Sequence, residues 1–496
     1  MKPFFLALLM AFFVFSFEDC KANSGEKKAV EMNYYISNDG NDNNSGTSVD
    51  APWRTIGKVN SILFQPGNRI LFKSGGIWND VLIPKGSGTE GLPITIDKYG
   101  GEALPVINGG GQKNGSGTLR LNQVSYWQIN NLEITNTVPA GMTYAAIGIH
   151  VSGGDISEPP ILGISIKNCY VHDVNSATDG QINYHKNSGG IILDGKIYGA
   201  LVQNCYIKNC AVEGLRTAGS REIPERSKDI IFDHNTLENI YGDGIVMSGV
   251  TGGSKIIYNK VYNACMNTGS QNYAGIWTIG SIKTLVAYNE VYGLKGGGNN
   301  DGMAFDADGY DEITTTDGDI FEYNYSHDNN GGFFLLMKDA KNITVRYNVS
   351  INDVGTIRGK KLFLIQNSPH TSRYVYNNVF YMKNPVEKLL WEGSSVEFKN
   401  NIFYAASSIN KLSDKEITDK ARFYSNSFYP LDIFSSLNWG ASLQKNNRLY
   451  KNPDFKDPLL KKGCTFDQTF LPNLFYPHVN LNEIPSGYQK NCSYRK

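Results

Sequence analysis

Polar and apolar positions recur along this chain in one local pattern. A β-branched or aromatic pair is followed by Asn and then by a second alternating pair. It reads WQINNLEI, IKNCYVHD, VQNCYIKN, FDHNTLEN, IIYNKVYN, VAYNEVYG, FEYNYSHD, VRYNVSIN, YVYNNVFY and FKNNIFYA. Aligned on one column, these segments stack Asn131, Cys169, Cys205, Asn235, Asn259, Asn289, Asn324, Asn348, Asn378 and Asn401, in steps of 38, 36, 30, 24, 30, 35, 24, 30 and 23 residues. The floor of 23 or 24 residues suits one coil of three short strands joined by tight turns, and longer steps are that coil plus a loop. Coils lie about 4.8 Å apart, so like stacks on like. A buried Asn then finds amide partners above and below, without which its burial would be costly. A sandwich of ordinary strands gives no fixed column that recurs in this way. The pattern predicts an all-β chain folded as a right-handed, single-stranded parallel β-helix of about ten coils.

A second column follows, starting at Gly148, Gly190, Gly214, Gly244, Gly275, Gly302 and Gly332. Strand alternation assigns the next residues, Ile149, Ile191, Leu215, Ile245, Ile276, Met303 and Phe333, to the core. It turns His150, Ile192, Arg216, Val246, Trp277, Ala304 and Phe334 outward. A second outward row reads Ser152, Asp194, Ala218, Ser248, Ile279, Asp306 and Leu336. A face mixing Arg, Trp, His and Asp with aromatics is suited to a groove that holds a sugar chain. Three long insertions, about 173–189, 218–229 and 308–319, are expected as loops on one face, where the binding sites of repeat proteins gather. The column is lost after residue 405, so residues 406–496 are expected to cap the helix and shield its open end.

Composition adds limits. The chain has 496 residues, with 47 Lys+Arg against 47 Asp+Glu, and a neutral balance argues against a dedicated nucleic-acid binder. The 29 Tyr and 24 Phe exclude a disordered chain. Lys2 followed by the apolar run from Phe4 to Phe17 reads as an export signal, with cleavage after Ala22 and the β-helix over 23–405. Lipid attachment at Cys20 is disfavoured by Glu18 and Asp19 just before it. No later run is apolar enough to cross a membrane. Export permits a bond between Cys464 and Cys492, and two free thiols fit equally. Cys169, Cys205, Cys210 and Cys265 match no zinc spacing and read as buried apolar fillers.

The opening YYISNDGNDNNSGTSVDAPWRTIGKVN, then RILFKSGGIW and ITIDKYG, resembles the start of pectate-lyase-like β-helix proteins among secreted carbohydrate-active enzymes. GMAFDADGYD with FEYNYSHDNNGGFFLL, and the closing NPDFKDP, are similar to stretches of the same superfamily. The resemblance covers most of residues 33–405. It implies the fold and a role on a polysaccharide or oligosaccharide outside the cytoplasm. A monomer with no nucleic-acid partner is expected. It selects no reaction, because the superfamily hosts lyases, hydrolases and epimerases on one scaffold.

Candidate chemistry centres on GNNDGMAFDADG. Asp301, Asp306 and Asp308 crowd there, Asp306 and Asp308 share outward parity, and Asp243 and Glu213 are assigned the Asp301 position in earlier coils. Stacked carboxylates repel, so some must share a proton, a metal or a cation. A glycoside hydrolase needs one protonated carboxyl and one ionised carboxylate, which Asp306 with Asp308, or Asp243 with Asp301, can supply without a cofactor. A lyase on a uronate chain needs Ca2+, for which Asp301, Asp306, Asp308 and Asp243 are the candidate ligands, and a base such as Lys338 or Arg216. A non-catalytic glycan-binding β-helix is the third reading, and structural calcium or turn-capping aspartates are the plain alternative for the cluster. Trp277 is a candidate sugar platform or a residue packed beneath a loop. Arg216 is expected to meet a substrate anion or else Glu213 or Asp243. His150, Asp194 and the loop residue His185 are further substrate-binding candidates, whereas His172 and His327 share one repeat position and read as turn residues. Acidic side chains outnumber convincing bases and the net charge is zero, so hydrolysis stands ahead of elimination.

Overall fold

The computed structural model describes residues 31–111, 117–139, 146–153, 158–175, 186, 188–266, 272–296, 301–355, 360–370, 372–392, 395–413, 421–440 and 446–449. The expected export signal, Cys20, His185, Cys464, Cys492 and most of the expected C-terminal cap lie outside these residues.

Each coil carries three strands, all paired in parallel with those of the neighbouring coils. One coil runs through Ile245–Thr251, Lys255–Ile257 and Lys260–Tyr262 before the next begins at Ala274–Ser281. Among the described residues the stacks form one 25-stranded sheet, which combines two faces, and a 14-stranded third face. The first strand of each coil builds what we call the front face. A short helix, Ile56–Ser61, and Trp53 pack against the first coils.

Asparagine fills the predicted column from Asn235 onward. Each Nδ2 donates to the Oδ1 of the next coil, from Asn235 to Asn259 at 2.9 Å, Asn289 at 3.1 Å and Asn324 at 3.0 Å, and so on up to Asn401. Each also donates to a carbonyl such as Val202 O or Phe232 O. Every amide group is thereby satisfied inside the core, the condition for burying it. Cys169 and Cys205 occupy the column in the earlier coils, buried and reduced, with their thiols against backbone carbonyls. Asn131 is one residue out of place. The pairing of Asn130 with Lys167 puts Leu132 level with Cys169, while Asn131 takes the left-handed turn before it at φ 55°. The ladder also runs past residue 405, through Asn426 and Asn447, and strands Ala421–Tyr424 and Ser427–Tyr429 continue the stacks. Phe434, Leu437 and Trp439 then pack over the last rings of the core.

The front-face frame expected from the glycine column holds only through Gly275. A side chain at Gly244 would meet the Gly275 carbonyl and Val261, so coils approach there as only glycine permits. Beyond it the register moves by two residues. Ile276 pairs with Phe305, not Met303, and Ala274 pairs with Met303. Ala304 and Phe334 therefore join Phe333 in the core, where only Phe333 was expected, whereas Met303 faces outward with Leu335 and Leu364. The physical cause is core filling. Phenylalanines 305, 333, 334 and 363 occupy space that glycine left narrow, and each buried ring contributes on the order of 2–3 kcal/mol.

The same shift redefines the outward row. It runs Arg120, His150, Ile192, Arg216, Val246, Trp277, Asp306, Leu335, Leu364 and Trp391. Asp306 stands in this first row, and Asp308 follows two residues along the chain. The insertions divide between two edges. Lys186 precedes a front-face strand, whereas 218–229 and 308–319 follow theirs.

Candidate active site

Asp301 lies at the turn entering the strand Met303–Ala307, just before Gly302, whose φ of 58° only glycine adopts freely. Asp306 projects from that strand, and Asp308 leaves it, its N–H on Thr278 O at 2.9 Å. Asp243 comes from an earlier coil. It stands level with Ala274 and Met303 rather than with Asp301, and its Oδ1 accepts from Ala274 N at 2.8 Å. These four carboxyls line one cleft of about 130 Å3, with Lys186, Asn272, Tyr273, Trp277, Met337 and Gln366 among its other walls.

The cleft is a well in the front face, not a groove along it. Val246 and Trp277 on one side of Asp306, and Leu335 and Leu364 on the other, are all buried. Asp306 itself is 6% exposed, and its Oδ1 has no hydrogen-bond partner among the described residues. Burial, reinforced by Asp308, Asp301 and Asp243 and opposed by Lys186, holds its carboxyl well above the ordinary range. This environment favours the protonated form of Asp306, which can donate a hydrogen bond. Asp308 is only partly buried in the fold. Burial raises its carboxyl to about 6, Asp301 adding to the rise while the Gly309 amide, Lys186 and Arg221 oppose it. Asp301 is partly exposed. Two carboxyls raised by burial, beside a third that is partly exposed, form an arrangement suited to proton transfer.

Lys186 was not singled out from the sequence. Its Nζ lies 3.5 Å from Asp243 Oδ2 and 4.5 Å from the centre of the Trp277 ring. The only sign in the sequence was its place beside His185 in a long insertion. Trp277 is 4% exposed, with Lys186 over its ring and Arg216 5.8 Å from it, so it is packed rather than open as a platform. Arg216 is buried and paired with the equally buried Glu213, so neither is free for substrate or for proton abstraction. His150 pairs with Asp194 at 3.7 Å, five coils from Asp306 and so roughly 24 Å along the axis. Lys338 is outside the cleft, at the mouth of a second cavity, 3.8 Å from Asp339. A base at Lys338 therefore does not face the aspartates. Among the described residues no three His, Cys, Asp or Glu side chains gather as a group that could hold a metal ion. His172 and His327 sit in ion pairs with Glu133 and Asp173, and with Glu290 and Asp328, away from the cleft.

Fold and coil register together define this chain as a right-handed parallel β-helix, and the family model described as right handed beta helix region matches residues 111–291. Over 516 aligned positions the chain is 27% identical to a lacto-N-biosidase of Bifidobacterium longum subsp. longum, covering 80% of this chain and 30% of that protein. It is 29% identical over 148 residues to the uncharacterized protein YwoF of Bacillus subtilis, covering 29% of this chain and 30% of that one. The chain thus spans under a third of the length of either relative. Among solved structures, the GH136 lacto-N-biosidase of Eubacterium ramulus superposes with a TM-score of 0.62 at 22% identity, covering 84% of this chain and 68% of that one. Among the described residues no helix is long and apolar enough to cross a membrane.

Proposed function

We propose that this chain is an exported glycoside hydrolase that cleaves an oligosaccharide or the end of a polysaccharide in the aspartate well. The observation that carries the reading is the convergence of Asp301, Asp306 and Asp308 in one cleft, with the carboxyls of Asp306 and Asp308 both raised by burial. Asp308, raised to about 6, protonates the glycosidic oxygen as its bond to the anomeric carbon breaks. Asp301 presents the carboxylate that faces the developing positive charge on the sugar. Asp306, its protonated form favoured by burial and one oxygen unpartnered, donates a hydrogen bond to the bound sugar ring. Lys186 holds Asp243 and closes the well over Trp277. Water bonds to the anomeric carbon and gives one proton to a carboxylate of the well, leaving a hemiacetal on the released sugar and an alcohol on the other part. Similarity to a lacto-N-biosidase over most of this chain supports the class of reaction. The enclosed shape of the well favours a chain end over the middle of a polymer.

The test is incubation of the purified protein with neutral and uronate-containing glycans, reading reducing ends and the ultraviolet absorbance of an unsaturated uronate left by elimination. New reducing ends without absorbance, lost in Asp308→Asn, support the reading. Absorbance that depends on added calcium overturns it.

A further inference from the structure

We infer that the second cavity is a binding site for the leaving-side sugars of a neutral oligosaccharide, so that the substrate crosses the coils instead of following the helix axis; the inference rests on the hydrolase reading. The cavity holds about 710 Å3, several times the volume of the well. It is walled by the two insertions after the front-face strands and by the turns of the following coils. Three coils build both spaces in succession. Asp308 lines the well and Tyr310 the cavity; Met337 the well and Lys338 the cavity; Gln366 the well and His370 the cavity. The Lys338 N–H donates to Gln366 Oε1 at 3.2 Å, tying two of these junctions together. The two spaces are therefore neighbours along the strand direction. Along the axis, the buried row of Val246, Trp277, Leu335 and Leu364 blocks a chain from leaving the well.

The lining fits neutral sugars. Lys338 and His370 both face Asp339, at 3.8 and 3.6 Å, and Lys341 faces Asp317 at 3.5 Å. Asp311 is held by the Thr314 hydroxyl and N–H, each at 2.7 Å. Charges paired among themselves leave little net field to select a polyanion, but they offer donors and acceptors to hydroxyl groups. Tyr310 is 51% and Ile223 63% exposed at the rim, as large apolar surfaces are when they wait for the C–H face of a ring. The wall is braced from behind, since Arg226 joins the two insertions through Arg221 O at 2.8 Å and Ile313 O at 3.0 Å.

The probes are neutral oligosaccharides with one to four residues on the leaving side of the cleaved bond, and a p-nitrophenyl glycoside with none. In the wild type, kcat/KM rises with leaving-side length. In Tyr310→Ala the ratio of kcat/KM for the longest probe to that for the aryl glycoside falls about tenfold, and in Ile223→Ser about threefold. A second arm needs no turnover. In Asp308→Asn, saturation-transfer NMR with the longest probe shows protein contact with the leaving-side residues, and adding Tyr310→Ala removes it. An unchanged ratio in both rim variants, or undiminished leaving-side transfer, overturns the inference. If Asp308→Asn keeps full activity, the hydrolase reading falls by itself, and the transfer experiment still decides the cavity.

Discussion

The asparagine ladder and the aspartate well are both buried polar columns of the same helix, but they are satisfied in opposite ways. From Asn235 to Asn426 each carboxamide has its oxygen and nitrogen bonded to neighbours one coil away. In the well, Asp306 keeps an oxygen without a partner, and carboxyls from different coils face one another across open space. A saturated column has nothing left to offer a ligand and contributes rigidity. An unsaturated one costs stability and remains competent for chemistry. The difference shows where on this scaffold structure ends and function begins.

The sharpest way to break that contrast is to exchange its chemistry. Asp308→Asn should lower kcat about 10³-fold, the scale of losing an acid catalyst, with the melting temperature moved by no more than about 2 °C. Asp306→Asn should cost roughly 10²-fold, because a carboxamide still donates, and again leave melting unchanged. A collapse of melting in either variant would make the well a structural column after all. Asn289→Ala should behave in the opposite sense. It strands the amide partners of the coils on both sides and should cost roughly 3 kcal/mol in denaturant unfolding, with activity per folded molecule retained. Loss of activity without loss of stability would remove the distinction.

Titration refines the comparison. Asp308 must carry its proton to act, so kcat/KM should fall as pH rises through about 6. Lys186→Met removes a positive charge that favours the ionised form, so this limb should move upward by under about one pH unit. No movement would separate Lys186 from the carboxyl pair. The smallest effect is expected at His327, outside the well. Burial lowers its imidazole, but Asp328 and Glu290 outweigh this and raise it to about 9. Its folded value exceeds the unfolded value of about 6.5, so its stabilisation is complete below 6.5 and is lost as pH rises through about 9. His327→Gln should therefore lower the melting temperature at pH 6 more than at pH 10.

The repeat made the coils, the ladder from Asn235 and the buried cysteines legible from sequence alone. A β-helix stacks each residue on its own counterpart, so local pattern and tertiary neighbour are one and the same. Asn131 and Met303 show the limit of that equivalence. At both sites a short motif looked right, but a turn or a wider core displaced the register, and only the pairing of whole strands reveals such a shift. Asp301, Asp306 and Asp308 were recognisable as a group because they lie within eight residues of one strand and its turns. Which would be neutral, which would titrate, and that Lys186 and Asp243 would join them depended on burial and on loops returning from other coils. Trp277, Arg216 and Lys338 had plausible roles by residue type and were moved out of them by contacts. The sequence alone therefore determined the solenoid, because its periodicity is local. Only the tertiary structure decided the site, because proton affinity depends on desolvation and on charges distant in the chain.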